Sequence, residues 1–412
     1  MILIIDFGSQ FNQLIARRVR ECKVYCQIEP PTISIDRIRA LAPEGIILSG
    51  GPSGIYEKNS PKVTRAIFDL GVPVLGICYG MQFMVDALGG AVHAAAKREY
   101  GFAEISVKAA AKIFKGVSRK STCWMSHGDS AETPPPGFKV IGSTENTKIA
   151  AIADVGRNFY GLQFHPEVAH TAEGTAMLSN FLFEICRCKP AWSMAAFAEE
   201  TVAEIRKRVG EKRVILGLSG GVDSSVAALL IHRAIGAQLT CIFVDNGLLR
   251  KDEAKKLKAV FAEKLKLNIR FVNAGSRFLN ALAGVTDPEK KRKIIGKVFM
   301  DVFEAEARKI RGAEFLAQGT LYPDVIESQS AFGGPTSIIK SHHNVGGLPA
   351  KMKLALIEPL RFLFKDEVRA LGKTLGLDED MIHRQPFPGP GLAIRIIGKV
   401  DRAGLELLRN ID

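Results

Sequence analysis

The sequence lacks the features of a membrane or secreted protein. No apolar run approaches the roughly 20 residues that a membrane-spanning helix needs. The apolar start from Met1 to Gly8 has no basic leader and already contains an acid at Asp6. This pattern is typical of a buried first strand and not of a signal peptide. We therefore expect a cytoplasmic protein with no membrane partner.

Cysteine and histidine are few, and their spacing suits neither disulfides nor metal. The seven cysteines are an odd number scattered over 412 residues without a secretory signal, so reduced thiols are expected. Cys186 and Cys188 lack a second ligand pair at zinc spacing, and His342 and His343 are adjacent instead of one helical turn apart. A structural metal site is not expected.

Aromatic residues are also few, at 8% of the chain, and no aromatic RNA-binding motif interleaves with the lysines. The formal net charge of +13 favours anionic ligands, either nucleotides or nucleic acid. Charge clusters usually cover solvated helix faces, so most of these cations need no partner. RNA recognition is kept as an alternative function, but no specific nucleic-acid partner is expected.

What the sequence does contain is the pattern of an α/β protein. With 47% hydrophobic residues, the chain is long enough for two or three domains. Short apolar β-branched runs alternate with amphipathic stretches, which predicts mostly parallel sheets flanked by helices. The pattern breaks at residues 189–193, where Ser193 is a plausible N-cap of a new helix. We predict two three-layer parallel-sheet domains in tandem, residues 1–190 and 191–385, followed by the start of a third unit at residues 386–412.

The first domain is expected to alternate strands and amphipathic stretches, at residues 1–6, 10–20, 45–49, 62–70, 72–77 and 80–88. The second domain should alternate in the same way, at residues 214–218, 223–234, 239–244, 252–265 and 268–272. Residues 321–353 are glycine-rich and show little periodicity, as functional lids and disordered loops do. Residues 386–391 carry too much proline to be helical, and residues 392–397 are predicted to form a strand.

Cys78 lies where a predicted strand passes into a predicted helix, with Gly76 and Gly80 on either side. Small flanking residues permit the strained turn that lifts a nucleophile clear of a sheet. A helix N-terminus also favours the thiolate. A cysteine nucleophile needs a base and a group that orients it, and His165 and Glu167 supply both, two residues apart. A lone cysteine is more often a small core residue, but this frame favours a nucleophile.

Three segments occur in the order seen in class I glutamine amidotransferases: residues 48–52, the Cys78 turn and residues 164–167. The resemblance covers roughly the first 190 residues. It implies that Cys78 attacks the carboxamide of glutamine while His165 moves the proton and Glu167 orients His165. The backbone N–H groups of Gly51 and Tyr79 would hold the oxyanion. The products would be ammonia and glutamate.

A second motif directly follows the strand predicted at residues 214–218 and reads Ser219, Gly220, Gly221, Val222, Asp223, Ser224 and Ser225. A loop between a buried strand and a helix directs its N–H groups and the helix dipole at an anion. The motif has no Gly-Lys-Ser/Thr ending, so it is not a Walker loop. Without that lysine, Mg²⁺ must neutralise much of the phosphate charge, and Asp223 is the nearest carboxylate. ATP and Mg²⁺ are the expected ligands; the alternative is a Ser-Gly turn capped by Asp223.

This loop resembles that of N-type ATP pyrophosphatases, which cleave ATP between the α and β phosphates and adenylylate a substrate oxygen. The family contains NAD synthetase, asparagine and argininosuccinate synthetases, and tRNA-thiolating enzymes. The loop alone therefore leaves the substrate open. Another ammonia-using ligase, such as NAD synthetase fused to an amidotransferase, and a tRNA-modifying enzyme are the alternatives.

Five further segments resemble the glutamine-hydrolysing GMP synthetases, at residues 243–250, 284–296, 318–328, 339–347 and 384–391. With them the resemblance extends over essentially the whole chain. It implies that ATP and xanthosine monophosphate (XMP) form an adenylyl-XMP intermediate, and that ammonia made at Cys78 attacks C2 to give GMP and AMP. Glutamine and XMP are the implied substrates. Because only neutral ammonia has a free lone pair, a guarded route between the sites is also implied.

Two basic residues acquire roles only through this resemblance. Arg292 matches a family position that contacts the XMP phosphate, where a planar guanidinium suits a bidentate contact. Its Lys-Arg-Lys surroundings otherwise indicate a solvated helix face. Lys340 lies in a glycine-bounded segment that resembles the family's lid, and we expect it to fold over the nucleotides and stabilise charge on the intermediate.

The sequence departs from the family pattern at residues 386–412. The family continues there with an α+β dimerisation domain whose end completes the XMP pocket, and only its opening residues are present. Full-length members are expected to be homodimers. For this chain the same departure predicts impaired dimerisation, weak XMP binding and poor coupling of glutamine hydrolysis to synthesis.

Overall fold

A computed structural model describes residues 1–108, 111–328, 354–385 and 389–412. The chain divides into two compact units, Met1–Ser193 and Met194–Asp412. Among the described residues, no helix has both the length and the apolar character needed to cross a membrane. Lys340 and its glycine-bounded segment lie outside the described residues.

The first unit is built on one nine-stranded sheet. Its strands are β1 (Ile2–Ile5), β2 (Cys26–Glu29), β3 (Gly45–Leu48), β4 (Val74–Ile77), β5 (Ala91–Val107), β6 (Lys120–Thr133), β7 (Lys139–Ser143), β8 (Ala151–Asp154) and β9 (Phe159–Leu162). The strand order is β2-β1-β3-β4-β9-β8-β7-β5-β6. The first five strands in this order, β2, β1, β3, β4 and β9, pair parallel with their neighbours. The pairs β9-β8, β8-β7, β7-β5 and β5-β6 are antiparallel.

The helices of the first unit cover both faces of the parallel part of the sheet. They are α1 (Asn12–Glu21), α2 (Ile35–Leu41), α3 (Tyr79–Ala87) and α4 (Gly174–Asn180). Every residue of β1, β3 and β4 is buried, which requires cover on both sides of the strands. Leu3 and Ile5 point into the core that contains Ile38 of α2 and Met84 of α3. The carboxyl ends of the parallel strands are therefore held rigidly.

The second unit contains a five-stranded, fully parallel sheet. Its strands are β10 (Arg213–Gly217), β11 (Leu239–Asp245), β12 (Ile269–Asn273), β13 (Ala313–Ala317) and β14 (Ala355–Ile357), in the order β12-β11-β10-β13-β14. Its helices are α5 (Met194–Val209), α6 (Val222–Ile235), α7 (Glu253–Lys258), α8 (Gly275–Ala281), α9 (Pro288–Ala307), α10 (Tyr322–Ser328), α11 (Lys365–Thr374), α12 (Glu379–Ile382) and α13 (Arg402–Ile411). Ile215 and Ile242 of the central strands share a core with Phe278, Ile295 and Phe303 of α8 and α9.

The predicted α/β class with two tandem parallel-rich sheets is confirmed, and three details differ. The antiparallel half of the first sheet, β5 to β8, has no counterpart among the predicted elements. The amphipathic stretch at residues 62–70 forms only a short 3₁₀ turn, Arg65–Asp69. The strand predicted at residues 392–397 is wrong. A 3₁₀ turn, Gly391–Ile394, stands there, because Gly391 has a φ of +66° and is packed against the carbonyl of Leu248, which leaves no extended backbone to pair.

Candidate active sites

Cys78 occupies a strained turn between β4 and α3. Its φ of 50° and ψ of −109° are unusual for a residue with a side chain. A Cβ on Gly76 would lie 2.7 Å from the carbonyl oxygen of Gly80, and a Cβ on Gly80 would overlap the carbonyl of Leu48. Glycine is therefore required on both sides of Cys78, because the helix backbone packs directly on the ends of β3 and β4.

The sulfur of Cys78 is almost enclosed, since the residue is only 4% exposed. Its backbone N–H donates to Leu162 at the end of β9, over 2.7 Å. The thiol lies 3.5 Å from the carbonyl oxygen of Ser126 on β6, and the side-chain amide of Gln163 approaches the sulfur at 3.8 Å. Strand β6, the end of β9 and the residue that follows it thus fix the position of Cys78.

His165 and Glu167 form a buried pair in the loop after β9. Nδ1 of His165 lies 2.7 Å from Oε1 of Glu167, and both side chains are 5% exposed or less. The backbone of His165 is held as well: its N–H donates to Trp124 at 3.0 Å, and its carbonyl accepts from the Thr171 hydroxyl at 2.6 Å. The imidazole therefore has one fixed orientation.

The environment of His165 favours the imidazolium. Burial is the largest influence and lowers its pKa, but the Glu167 carboxylate and the Cys78 sulfur together outweigh it and raise the pKa to about 10. The Cys78 side chain is a hydrogen-bond partner of the imidazole, which therefore lies beside the sulfur. The arrangement can hold a proton beside the sulfur and release it to a group bound there.

Gly51 and Tyr79 are brought together beside Cys78. A Cβ on Gly51 would lie 2.8 Å from the carbonyl oxygen of Phe7 and 3.3 Å from the Tyr79 ring. Tyr79 is the first residue of α3, so its N–H has no partner within the helix. Neither this N–H nor that of Gly51 donates a hydrogen bond to any other residue in the described part of the chain. Two free N–H groups suit a developing oxyanion.

The phosphate loop predicted in the second unit joins β10 to α6. Gly220 has a φ of +79°, and Gly221 is the N-cap of α6. The hydroxyls of Ser224 and Ser225 both donate to the carbonyl of Gly221, at 3.1 and 2.7 Å, and the Ser219 hydroxyl lies 2.9 Å from that of Ser224. Val222 is buried as the first residue of the helix. These contacts fix the loop around the positive end of the helix dipole.

Asp223 is the carboxylate of this loop, and it is paired. Nζ of Lys365, at the start of α11, lies 2.7 Å from both of its carboxylate oxygens. A Cβ on Gly319, which follows β13, would lie 3.2 Å from the backbone of Asp223, so only glycine fits there easily. In the described part of the chain, no group of three or more His, Cys, Asp or Glu side chains is placed to hold a metal ion.

The loop is also anchored from outside. Nη1 of Arg384 donates to the carbonyl of Gly220 at 3.1 Å, and its other terminal nitrogen binds the buried Glu253 of α7. A Cβ on Gly220 would lie 2.6 Å from the Leu257 side chain of the same helix. Helix α7 and Arg384 therefore hold the glycine turn in place.

Arg292 is placed on α9, and its contacts do not connect it to the phosphate loop. Its side chain is 48% exposed and pairs with Glu289 at 3.3 Å. The neighbouring Lys291 is fully buried and donates to the carbonyls of Ala393 and Ile396, at 3.3 and 2.7 Å. Lys291 therefore points inward and holds the 3₁₀ turn at Gly391–Ile394, whereas Arg292 remains accessible.

Sequence reasoning missed the residues that hold the two reactive motifs in place. Gln163, Ser126, Lys365 and Arg384 each contact a motif residue from 48 to 164 positions away in sequence. Gln163 stands two residues before His165 and could have been noticed as part of that segment. Lys365 carries no local signal, and Arg384 stands out only as the first residue of the segment 384–391; contacts over 142 and 164 positions bring them to the loop.

Comparison with known proteins agrees with this division of the chain. Residues 3–185 match the family model of class-I glutamine amidotransferases, and residues 194–295 match that of NAD synthase. The chain is 56% identical over 411 residues to a glutamine-hydrolysing GMP synthase of Brachyspira hyodysenteriae, covering 100% of this chain and 80% of that protein. Proteins of the same description from Caldanaerobacter subterraneus subsp. tengcongensis and Heliobacterium modesticaldum are 56% and 55% identical with the same coverage. The chain belongs to the glutamine-hydrolysing GMP synthase family.

Proposed function

We propose that this protein aminates XMP to GMP, using glutamine as nitrogen donor and cleaving ATP to AMP and pyrophosphate. The observation that carries the proposal is the buried His165–Glu167 pair beside Cys78, in a chain that also holds an anchored phosphate loop. Relatives over the whole chain are described as glutamine-hydrolysing GMP synthases. This favours GMP synthesis over NAD synthesis, although the second family model is described as NAD synthase.

In the first unit, Cys78 is the nucleophile of glutamine hydrolysis. Its sulfur attacks the carboxamide carbon, and the N–H groups of Gly51 and Tyr79 stabilise the oxyanion. His165 gives its proton to the leaving ammonia, and the remaining thioester is cleaved by water that returns a proton to His165. Glu167 keeps the imidazole oriented and favours its protonated form. The net reaction converts glutamine and water into glutamate and ammonia.

In the second unit, the loop from Ser219 to Ser225 binds the phosphates of ATP. Its backbone N–H groups and the end of helix α6 attract the anion, and Gly220 and Gly221 permit close approach. An oxygen on C2 of XMP attacks the α phosphorus and pyrophosphate leaves. Ammonia then displaces AMP from C2, which gives GMP.

Mg²⁺ belongs to this proposal, and the loop fits it in one respect. Mg²⁺ is commonly held by one or two carboxylates together with substrate phosphates, so the single carboxylate of Asp223 suffices. Both oxygens of Asp223 bind Lys365, so Mg²⁺ would share the carboxylate with this ammonium group. When bound, the ion would neutralise phosphate charge as pyrophosphate leaves. Lys365 supplies a further positive charge at the same place.

The roles of Arg292 and Lys340 are part of the same proposal. Arg292 is accessible on α9 and can present its guanidinium to the phosphate of XMP. Lys340 is assigned to the lid by family resemblance alone. A guarded path for ammonia is proposed because water would protonate it. The seven free thiols suit a reducing cytoplasm, where ATP and glutamine are available.

The experiment that tests this function is a substrate panel with isotopic readout. The protein is incubated with ATP, glutamine and either XMP or the deamido precursor of NAD, and AMP, pyrophosphate and aminated product are measured. XMP labelled with ¹⁸O on C2 should transfer the label to AMP, because that oxygen attacks the α phosphorus. Turnover of the NAD precursor without turnover of XMP would establish the alternative function instead.

A further inference from the structure

A second buried histidine–glutamate pair lies beside the thiol site and has no role in the mechanism above. His127 on β6 and Glu99 on β5 are 4% and 8% exposed, and they face each other in the register of the antiparallel pair. Nε2 of His127 lies 3.3 Å from Oε2 of Glu99. Charged or polar groups this deeply buried carry a large desolvation cost unless their partners are well placed.

Glu99 is held by three donors from one turn. The hydroxyl of Thr144 donates to Oε1 at 3.1 Å, the side-chain amide of Asn146 donates to Oε1 at 3.3 Å, and the Thr147 hydroxyl donates to Oε2. The turn itself is closed by the Thr147 N–H, which donates to the Thr144 hydroxyl at 3.0 Å. These three donors fix the carboxylate of Glu99 independently of His127.

The ring of His127 is hydrogen-bonded at one end, and its Nε2, which faces Glu99, has no hydrogen-bond partner in the described part of the chain. Its Nδ1 lies 3.0 Å from the backbone carbonyl of Asp129, and a carbonyl only accepts, so Nδ1 carries a hydrogen. Burial lowers the pKa of His127, and the imidazole of His165 lowers it further, whereas Glu99 raises it. With Nδ1 bonded to Asp129, the electrostatic contact of Nε2 with Glu99 at 3.3 Å is the remaining polar contact of the ring.

The segment of β6 that His127 occupies also touches the thiol machinery. The carbonyl of Asp129 accepts a second hydrogen bond, from the Gln82 side chain at 2.7 Å, and Gln82 lies one turn along α3 from Cys78. The carbonyl of Ser126 is the one that lies 3.5 Å from the Cys78 sulfur. Both ends of residues 126–129 therefore contact α3 or the nucleophile that precedes it, and His127 lies between them.

We propose that Glu99 is a positioning residue for glutamine hydrolysis, which acts through His127 to hold residues 126–129 of β6 against Cys78 and Gln82. This inference rests on the proposed glutamine hydrolysis. A buried pair of this kind often adds little to stability compared with apolar residues of the same volume. Its contribution here is the placement of two backbone carbonyls at the site. Loss of Glu99 releases the ring, and the Ser126 carbonyl then no longer orients the thiol.

Three variants test this role. Glu99→Met keeps the volume but removes every acceptor, whereas Glu99→Gln keeps one carbonyl oxygen, which can face Nε2 of His127 and accept from the Thr147 hydroxyl. Glu104→Gln is the matched control, since Glu104 lies on the same strand but is exposed and pairs with Lys120. Glutamine hydrolysis is measured per reactive Cys78, counted by titration with a diazoketone analogue of glutamine. GMP formation with ammonium replacing glutamine is measured in parallel.

We expect Glu99→Met to lower kcat for glutamine per titrated thiol by about 10- to 100-fold, as small misplacements of reacting groups do. KM for glutamine and the ammonium-driven reaction should stay within about threefold, and Glu99→Gln should recover most of kcat. If Glu99→Met does not fold, Thr147→Val, which removes one hydrogen bond to Glu99, should lower kcat by about 3- to 10-fold.

An unchanged kcat per titrated thiol in Glu99→Met, or in Thr147→Val where that variant replaces it, would overturn the proposal. An equal loss in Glu99→Gln would overturn it too, because glutamine keeps the volume and an oxygen that faces His127 and Thr147. If Glu99 had a purely structural role, its replacement would reduce the number of titratable thiols and leave kcat per titrated thiol unchanged. That outcome would also overturn the proposal. If the unmodified protein neither hydrolyses glutamine nor reacts with the analogue, the proposed function itself fails, independently of Glu99.

Discussion

Both carboxylate oxygens of Asp223 lie 2.7 Å from the ammonium nitrogen of Lys365, which follows 142 positions later in the chain. The two side chains are 31% and 40% exposed, so the pair remains open to ligands. A charge-assisted contact at the N-terminus of α6 places a cation where the proposed phosphates would arrive. We therefore expect Lys365 to supply the positive charge that a Walker lysine would otherwise provide.

Replacing Lys365 with methionine should weaken the use of ATP. The loss of one charge-assisted contact to phosphate corresponds to about 1.5–3 kcal/mol, or roughly 10- to 100-fold in kcat/KM for ATP. Ammonium-driven GMP formation is the measurement, and glutamine hydrolysis in the absence of nucleotides should not change. Lys373→Met is the matched control on the same helix, because Lys373 is exposed and pairs with Glu379. Equal ATP kinetics in both variants would contradict this role.

Replacing Glu167 with glutamine should shift the pH dependence of glutamine hydrolysis. In the unmodified protein the pKa of His165 is about 10, so kcat/KM should hold through neutral pH and fall as the pH passes about 10. Without the carboxylate, burial prevails and the pKa of His165 falls, so the alkaline decline should move to lower pH by about one unit or more. Glu184→Gln, at an exposed carboxylate, should leave the profile unchanged.

His165 also makes the stability of the first unit depend on pH. Because the folded pKa of His165 is raised above its ordinary value of 6.5, its stabilising contribution is complete below that value and is lost as the pH rises through about 10. In Glu167→Gln that alkaline loss should be smaller. If the activity and the stability of Glu167→Gln decline with rising pH as they do in the unmodified protein, Glu167 does not control the proton on His165.

Replacing Gly80 with alanine should destabilise the first unit. The added Cβ would overlap the carbonyl of Leu48, so the helix has to move away from the sheet, at a cost of about 2–3 kcal/mol. Gly71→Ala is the control, because an added Cβ at Gly71 would meet no described atom within 4 Å. The φ of +72° alone opposes this change, and it should lower the free energy of unfolding by about 1 kcal/mol. Both tryptophans, Trp124 and Trp192, belong to this unit, so their fluorescence reports its unfolding. Equal costs in the two variants would refute the packing argument.

The sequence predicted well those features that are local in the chain. The strand, turn and helix around Cys78 follow from a buried apolar run, two glycines and an amphipathic segment, and the same holds for the loop from Ser219 to Ser225. The alternation of short strands and helices was enough to predict the parallel strands β1, β3 and β4 of the first sheet and β10, β11 and β12 of the second. In each case, a few neighbouring residues determine the backbone conformation.

The features that could not be predicted depend on contacts between distant parts of the chain. Residues 392–397 have the composition of a strand, but buried Lys291 binds the carbonyls of Ala393 and Ile396 and holds them in a turn. The pairing of Glu99 with His127 depends on the antiparallel register of β5 and β6, which includes an irregularity before Glu99. No periodicity in the sequence encodes these contacts.

The central claim is that the two units divide the reaction, with nitrogen released at Cys78 and used at the phosphate loop. The most direct test compares GMP formation from XMP and ATP with glutamine and with ammonium, in the unmodified protein and in Cys78→Ala. The account predicts that Cys78→Ala loses the glutamine-driven reaction by at least about 10³-fold and keeps the ammonium-driven reaction within about twofold. Glutamine-driven synthesis that survives the loss of the thiol would contradict it.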